Sequence, residues 1–371
     1  MKYLLAILLL FLVSCNKDVI VSPSENLTGV PVMNIYAEPE SLSKLRANKI
    51  LNTEIPVEVH FEDYVYTATL RSAGSGSKYH PRWGFKVSLQ HGAIDGLKTF
   101  NLSSQVYDRT GMNTLLAIKL YEAVGLKTHS ARSVFIRIND HDEGLYPMIE
   151  RIDSAFFDKR GHKYSELYKL SFDTKFSLAG GFIPEYVIDK EIPKDDNYSS
   201  LYQLFHALDE AYSDSTKLAI LKNHLDVENY LKYHALTSLL NNYDAFTNNF
   251  LLLKSNYDAP FEVIPWDFDK CFSLDANVGA FGDNEIIRTL FKYKEYRVIY
   301  KSLVNQIANL YFNENFLFPI IDNYATQIKD AYKLDPYLGK EGRYIFDNEM
   351  SQLKNFITNR YNEIKAELNS F

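Results

Sequence analysis

The sequence predicts an α+β fold: a mainly antiparallel β N-terminal half followed by a helical C-terminal half. Three observations carry this. Short runs of period-two alternation dominate residues 32–153, and from residue 199 onward apolar side chains recur at helical spacing. Between the later helical patterns, two apolar runs at 250–254 and 261–264 flank Asn256-Tyr257-Asp258-Ala259-Pro260, which is turn chemistry and predicts a hairpin.

Each element follows in order. Lys2 precedes an unbroken apolar run at 3–13 and then Ser14-Cys15, too short to span a bilayer but suited to a secretory signal. Leu12-Val13-Ser14-Cys15 resembles a bacterial lipobox, so Cys15 is the expected lipidation site and 1–15 a lipoprotein signal peptide; an ordinary signal peptide containing a cysteine is the alternative. Residues 16–30 read as a tether, and Asn16-Lys17-Asp18 resembles the export signals of surface lipoproteins, which places the chain in the cell envelope, at the outer membrane or cell surface. With Cys15 lipidated, Cys271 has no partner for a disulfide and reads as a small buried hydrophobe. Strands are expected at 57–61, 64–70, 85–89, 134–138 and 145–149, interrupted by a helix at 110–124 that stops at Gly125. Helical stripes follow at 201–208, 218–225 and 227–240, then at 284–311, 316–332 and 342–368. Residues 31–371 read as one domain, dividing near 153/154, with no internal repeat.

The candidate chemistry sits between Asn241 and Asp269. Asp244 precedes Asn249 by five positions, the spacing at which a kinase catalytic loop carries the acid that orients the acceptor hydroxyl and the amide that binds magnesium. Trp266-Asp267-Phe268-Asp269 follows the second hairpin strand and sets two carboxylates beside apolar rings, where carboxylates are costly unless used. The plainer reading is that Asp and Asn form turns, with Asp269 a cap. On the strand at 85–89, Lys86 lies opposite Phe85, Val87 and Leu89; this suits a phosphate-binding lysine and equally a solvent-facing one. Gly74-Ser75-Gly76-Ser77 brings backbone amides within reach of phosphates, or is only a hairpin tip.

The ordered set of segments resembles the CotH (spore coat protein H) kinases. It comprises Asn242-Tyr243-Asp244, Asn249 and Pro265-Trp266-Asp267-Phe268-Asp269. Upstream it includes Asp108-Arg109 with Asn113, Gly125-Leu126, Gly144-Leu145-Tyr146, Glu150-Arg151-Ile152-Asp153 and Leu167-Tyr168-Lys169. The resemblance implies an atypical protein-kinase-like two-lobed fold, with a mainly antiparallel β N-lobe (31–153) and a helical C-lobe (154–371). It implies transfer of the ATP γ-phosphoryl group to Ser or Thr of an exported or surface protein. In that scheme Asp244 is the acid–base residue, and Asp267, Asn249 and Asp269 hold Mg2+ or Mn2+. Lys86, Arg82, Arg71, Ser77 and Glu150 face the nucleotide, Glu150 standing at the hinge position or serving as a structural acid. The chain departs from the family where Ala73 replaces the arginine before Gly74 and Trp83 replaces a lysine after Arg82. Those changes favour the competing class, a non-catalytic binding or adhesion module on the same scaffold.

Other classes find little support. A net charge of -7 argues against a nucleic-acid partner. Nine histidines show no zinc spacing, no nucleophile elbow is present, and nothing among 47 acids selects a glycosidase pair. Hydrophobic content of 46% with 27 Tyr and 24 Phe supports an ordered core.

Overall fold

The computed structural model describes residues 27–370 except 75, 172–173, 179–180, 209–211, 275–276 and 338–341. The expected signal peptide, Cys15 and most of the tether lie outside the described residues. The last tether residues are packed, not free: Thr28 and Val30 are buried, and the Thr28 carbonyl accepts the Ala331 amide at 2.9 Å.

The first part of the chain is a closed seven-stranded barrel. Its strands are β1 (Val32–Tyr36), β2 (Glu54–Phe61), β3 (Tyr64–Ala73), β4 (Gly84–Leu89), β5 (Thr99–Leu102), β6 (Ala131–Ile138) and β7 (His141–Glu150), in the order β1-β2-β3-β4-β5-β7-β6. Neighbouring strands are antiparallel except at the closing seam, where β1 runs parallel to β6 with Ile35 opposite Ile138. The alternation read from the sequence supplies the interior: Val57, Val59, Leu70, Phe85, Val87, Ile136, Tyr146 and Met148 fill it. The sequence predicted a mainly antiparallel sheet without its closure, because β1 and β5 are only five and four residues long, too short to stand out as alternating runs. Helix α1 (Pro39–Ala47), with Pro39 in its first turn, adds Leu42 and Leu45 to the same core.

Helix α2 (Met112–Ala123) packs outside β6, and the remaining chain builds on that side. A short helix α3 (Ser154–Arg160) leads to β8 (Glu166–Leu170) and β9 (Ile188–Ile192). Helices α4 (Ser199–His206), α5 (Asp214–His224) and α6 (Val227–Leu239) precede the hairpin β10 (Phe250–Lys254) and β11 (Glu262–Pro265). These four strands form a second sheet ordered β11-β10-β8-β9. All of β10 is buried, which is why Phe250-Leu251-Leu252-Leu253 reads as continuous rather than alternating. Helices α7 (Glu285–Phe291), α8 (Lys294–Leu310), α9 (Glu314–Leu334) and α10 (Gly342–Ser370) complete the fold. The single helix expected at 284–311 is broken because Tyr293 takes an extended conformation between α7 and α8.

Arg82 joins the barrel to the helices. It pairs with the fully buried Asp335 carboxylate at 3.1 Å, donates to the Leu145 carbonyl and lies 4.4 Å over the Tyr146 ring. Asp335 also accepts the Leu145 amide at 2.9 Å. Gly144, at φ +105, lies directly under that carboxylate, where a Cβ has no room.

Candidate active site

Helix α6 begins at the Asp226 cap, whose carboxylate accepts the Asn229 amide at 3.0 Å, and its buried face carries the chain to Asn242 and Asp244. The hairpin then returns the chain to the same place. Phe250 pairs with Pro265, and one step beyond, the Trp266 amide donates to the Asn249 carbonyl at 3.1 Å. Asn249 and Asp267 therefore leave the open end of the ladder side by side, both in the left-handed region at φ +58. Such backbone is uncommon outside glycine, tolerated best by Asn and Asp, and persists where the surroundings impose it.

The surroundings are visible. Phe268 is wedged between His129, stacked at 5.2 Å, and Tyr121 at 5.3 Å, and burial pushes the His129 pKa down to about 3, so it packs as a neutral ring. The Asn113 side chain donates to the Cys271 carbonyl at 2.8 Å, and Asp108 accepts the Asn113 amide at 2.8 Å. The upstream segment containing Asp108 and Asn113 thus pins the backbone that follows Asp269.

Asp244 is held by two donors on one oxygen: Asn249 Nδ2 and Lys270 Nζ each approach Oδ2 at 2.8 Å. Asp267 and Asp269 point to opposite sides of the segment. Asp267 opens into a cavity of about 460 Å³ between the barrel and the second sheet. Asp269 lines another, of about 370 Å³, beside Tyr243, Lys270 and α10.

The larger cavity is rich in cations, two of them loosely paired: Arg71 with Glu54 at 3.6 Å and Arg151 with Asp153 at 3.7 Å. Arg71, Lys78, Arg151 and Lys169 line it, with Ser77 and the Gly74 turn. Lys86 lies in the row that crosses the outer barrel face, Arg71 opposite Lys86 and Lys86 opposite Asn101. Burial and the Arg151 and Arg71 charges lower the Lys86 pKa, and burial with Arg71 lowers that of Lys78. Opposite them, Asp267 is solvent-reachable but crowded by the cavity walls, so burial raises its pKa; Asp244 raises it further, and Lys169 opposes. Asp269 is pushed up to about 8, by burial first and then by Asp267 and Asp108. Clustered cations facing clustered carboxylates suit a polyanion bridged by a divalent cation.

Part of the donor set for that cation is present. Asp267 offers a carboxylate, and Asn249 an amide oxygen that its Nδ2 bond to Asp244 leaves uncommitted among the described residues. No group of three His, Cys, Asp or Glu side chains among the described residues is placed to hold a metal ion. This is a partial oxygen shell of the kind magnesium completes with phosphate oxygens and water.

Two sequence-expected residues are elsewhere. Arg82 is committed to Asp335 and does not line the larger cavity. Glu150 is buried and clamped by Arg160 at 2.8 and 2.6 Å and by the Ser130 amide at 2.9 Å. Burial would raise its pKa, but these bonds outweigh it and hold the carboxyl low, so Glu150 serves as a structural acid. Sequence reasoning missed Lys169, Arg151, Lys78 and Lys270. Lys169 and Arg151 had a signal, since both lie in the family-like segments, though without an assigned role; Lys270 follows the Asp-Phe-Asp segment, yet nothing in the sequence ties it to Asp244.

The carboxylates predict a pH dependence. Asp267 and Asp269 are protonated more readily in the folded chain than in the unfolded one, so stability falls as pH rises through their titration. His129 and His234, depressed to about 3 and about 4, have the opposite slope, but it ends near the usual histidine value of about 6.5. Metal-free protein is therefore expected to melt at lower temperature at pH 8.5 than at pH 6.5, and Asp269→Asn to flatten that difference. A melting temperature that rises over this window would contradict the assignment.

The family model described as CotH kinase protein matches residues 70–364, which include every cleft residue named above. The chain belongs to the CotH kinase protein family. Inner spore coat protein H of Bacillus subtilis (strain 168) is 23% identical over 360 residues, covering 93% of this CotH-family chain and 99% of that protein. Among solved structures, the Helicobacter pylori proinflammatory kinase CtkA aligns over 77% of this chain and 93% of its own, at 11% identity and a TM-score of 0.33. A chain of the Shewanella oneidensis MR-1 toxin–antitoxin system HipA, HipB and its operator DNA complex aligns over 73% of this chain and 60% of its own, at 11% identity and a TM-score of 0.32.

Proposed function

We propose that this CotH-family chain is an atypical protein kinase that transfers the ATP γ-phosphoryl group to Ser or Thr of an exported or surface protein, its barrel and helical parts acting as the two lobes. One observation carries the proposal: the hairpin ends bring Asn249 next to the segment of Asp267, which lines a cation-rich cavity, with Asp244 bonded to Asn249 at 2.8 Å. Arg71, Lys78, Lys86, Lys169 and Ser77 would receive the phosphates. Asp267 and Asn249 would hold magnesium or manganese, which when bound offsets charge on the transferring group. Asp244, oriented through Oδ2 by Asn249 and Lys270, would take the acceptor proton on Oδ1.

The test is transfer of labelled γ-phosphate to the protein itself and to exported proteins. Asp244→Ala is expected to reduce transfer by roughly 10²-fold or more while sparing Mg·ATP affinity. Equal label with both proteins would remove Asp244 from the mechanism. The Lys270–Asp244 ion pair and Ala73 favour a second reading, a non-catalytic binding or adhesion module; bound nucleotide with no transfer by either protein would establish it.

We further propose residues 31–371 as the kinase domain and Cys15 as a lipid anchor at the envelope, on the strength of the lipobox-like tetrapeptide. Among the described residues no helix is long and apolar enough to cross a membrane. Cys15→Ser is expected to shift the protein from the membrane to the soluble fraction; wild-type protein found wholly soluble with an unmodified N-terminus would refute the anchor.

A further inference from the structure

The cavity beside Asp269 continues along α10. A third cavity, of about 390 Å³, adjoins it and shares Ser273, Gln352 and Phe356, so one groove leads away from Lys270 along the helix. Phe356 packs on Phe272 with ring centroids 5.8 Å apart, which sets the rotation of α10 against the segment that follows Asp269. The groove-facing surface of α10 then presents Gln352, Asn355 and Asn359, three exposed carboxamides at i, i+3 and i+7 on one helix face. Among the described residues none of the three has a side-chain hydrogen bond, unlike the amides of Asn305 and Asn313, which cap or bond their own helices. The arginine beside the amide row is committed: Arg360 donates to the Ser238 carbonyl at 2.7 Å and the Gly279 carbonyl at 3.0 Å, while Arg109 lines only the cavity at the Asp269 end. At the end nearest Asp244, the exposed rings of Tyr107 and Tyr243 lie 5.2 and 5.3 Å from the Lys270 ammonium.

We propose that this groove holds the acceptor as an extended, weakly charged stretch of polypeptide, its backbone bound by the carboxamide row and its Ser or Thr delivered between Tyr107 and Tyr243 to Asp244. The inference rests on the kinase reading above. A carboxamide offers both a donor and an acceptor, which is what the N–H and C=O groups of an extended backbone require, and neutral amides give no reason to select a charged side chain. The lengths agree. From 352 to 359 the helix rises about 10.5 Å, the span of roughly three residues of extended chain. A nucleic acid would need free cations along the groove, and the row has none.

The test uses the mature chain and a pooled library of ten-residue peptides, each with one central Ser or Thr among uncharged residues. Peptide capture is measured without nucleotide, and transfer from labelled ATP is measured separately. The variant combines Gln352→Ala, Asn355→Ala and Asn359→Ala, all exposed, and its melting temperature and Mg·ATP-induced shift are expected to match wild type. Loss of three hydrogen bonds is expected to weaken capture about tenfold or more and to raise the peptide KM with little change in kcat. Capture and transfer equal to wild type would overturn the groove while leaving the kinase reading intact. Capture lost in the variant, with no transfer by either protein, would keep the polypeptide groove and remove the kinase reading. No capture by wild type would overturn the proposal.

Discussion

Asp267→Asn is expected to abolish magnesium-dependent ATP binding, and with it all transfer, without harming the fold. The substitution removes one anionic oxygen and keeps nearly the same shape. Asn also tolerates the φ of +58 at this position, so the backbone has no reason to move. The Asp244 charge raises the pKa of Asp267, and the Asp267 charge raises that of Asp269, so deleting the Asp267 charge relieves repulsion, and the ligand-free variant should melt no lower than wild type. A ligand at a hundredfold excess over its Kd stabilises the folded state by about 2.7 kcal/mol. That stabilisation, read as a thermal shift with ATP and magnesium, should appear in wild type and vanish in the variant. An equal shift in both would make Asp267 structural.

Asp335→Ala is expected to be the most destabilising single change outside the core. Asp335 has no exposed side-chain surface, and its loss leaves the Arg82 guanidinium buried without its counter-ion and the Leu145 amide without its acceptor. Breaking a buried pair from one side costs about 3–5 kcal/mol, because the surviving charge stays out of water. Arg82→Ala should cost a similar amount, and Arg82→Met with Asp335→Leu should cost well below the sum, since then no charge is stranded. Urea denaturation measures all three. The same experiment separates the two roles assigned to Arg82: if it bound phosphate, Arg82→Ala would weaken ATP binding at unchanged stability.

Arg82 also shows why part of the site was not legible. A cation ahead of an apolar strand reads alike whether it awaits a phosphate or a carboxylate, and its partner, Asp335, lies at the far end of α9. Glu150 misled in the same way, because Arg160 is invisible as its partner until α3 folds back on β7. Lys169, Arg151, Lys78 and Lys270 were given no role because a lone charge in sequence does not name its partner, and only packing gathers them.

What the sequence determined by itself was local. Period-two runs dictated the barrel strands β2, β3, β4, β6 and β7, the turn at 256–260 dictated the hairpin, and the spacing of Asp244, Asn249 and Asp267 around that hairpin dictated their meeting, since a two-stranded ladder returns its ends to one place. What only the tertiary structure decided was non-local. The parallel pairing of β1 with β6 closed the barrel, Phe268 separated two carboxylates into two cavities, and α10 laid its amide row along one of them. Those outcomes depend on contacts between residues far apart in the chain, whose loop-closure cost is repaid only when the whole core forms, so no local pattern encodes them.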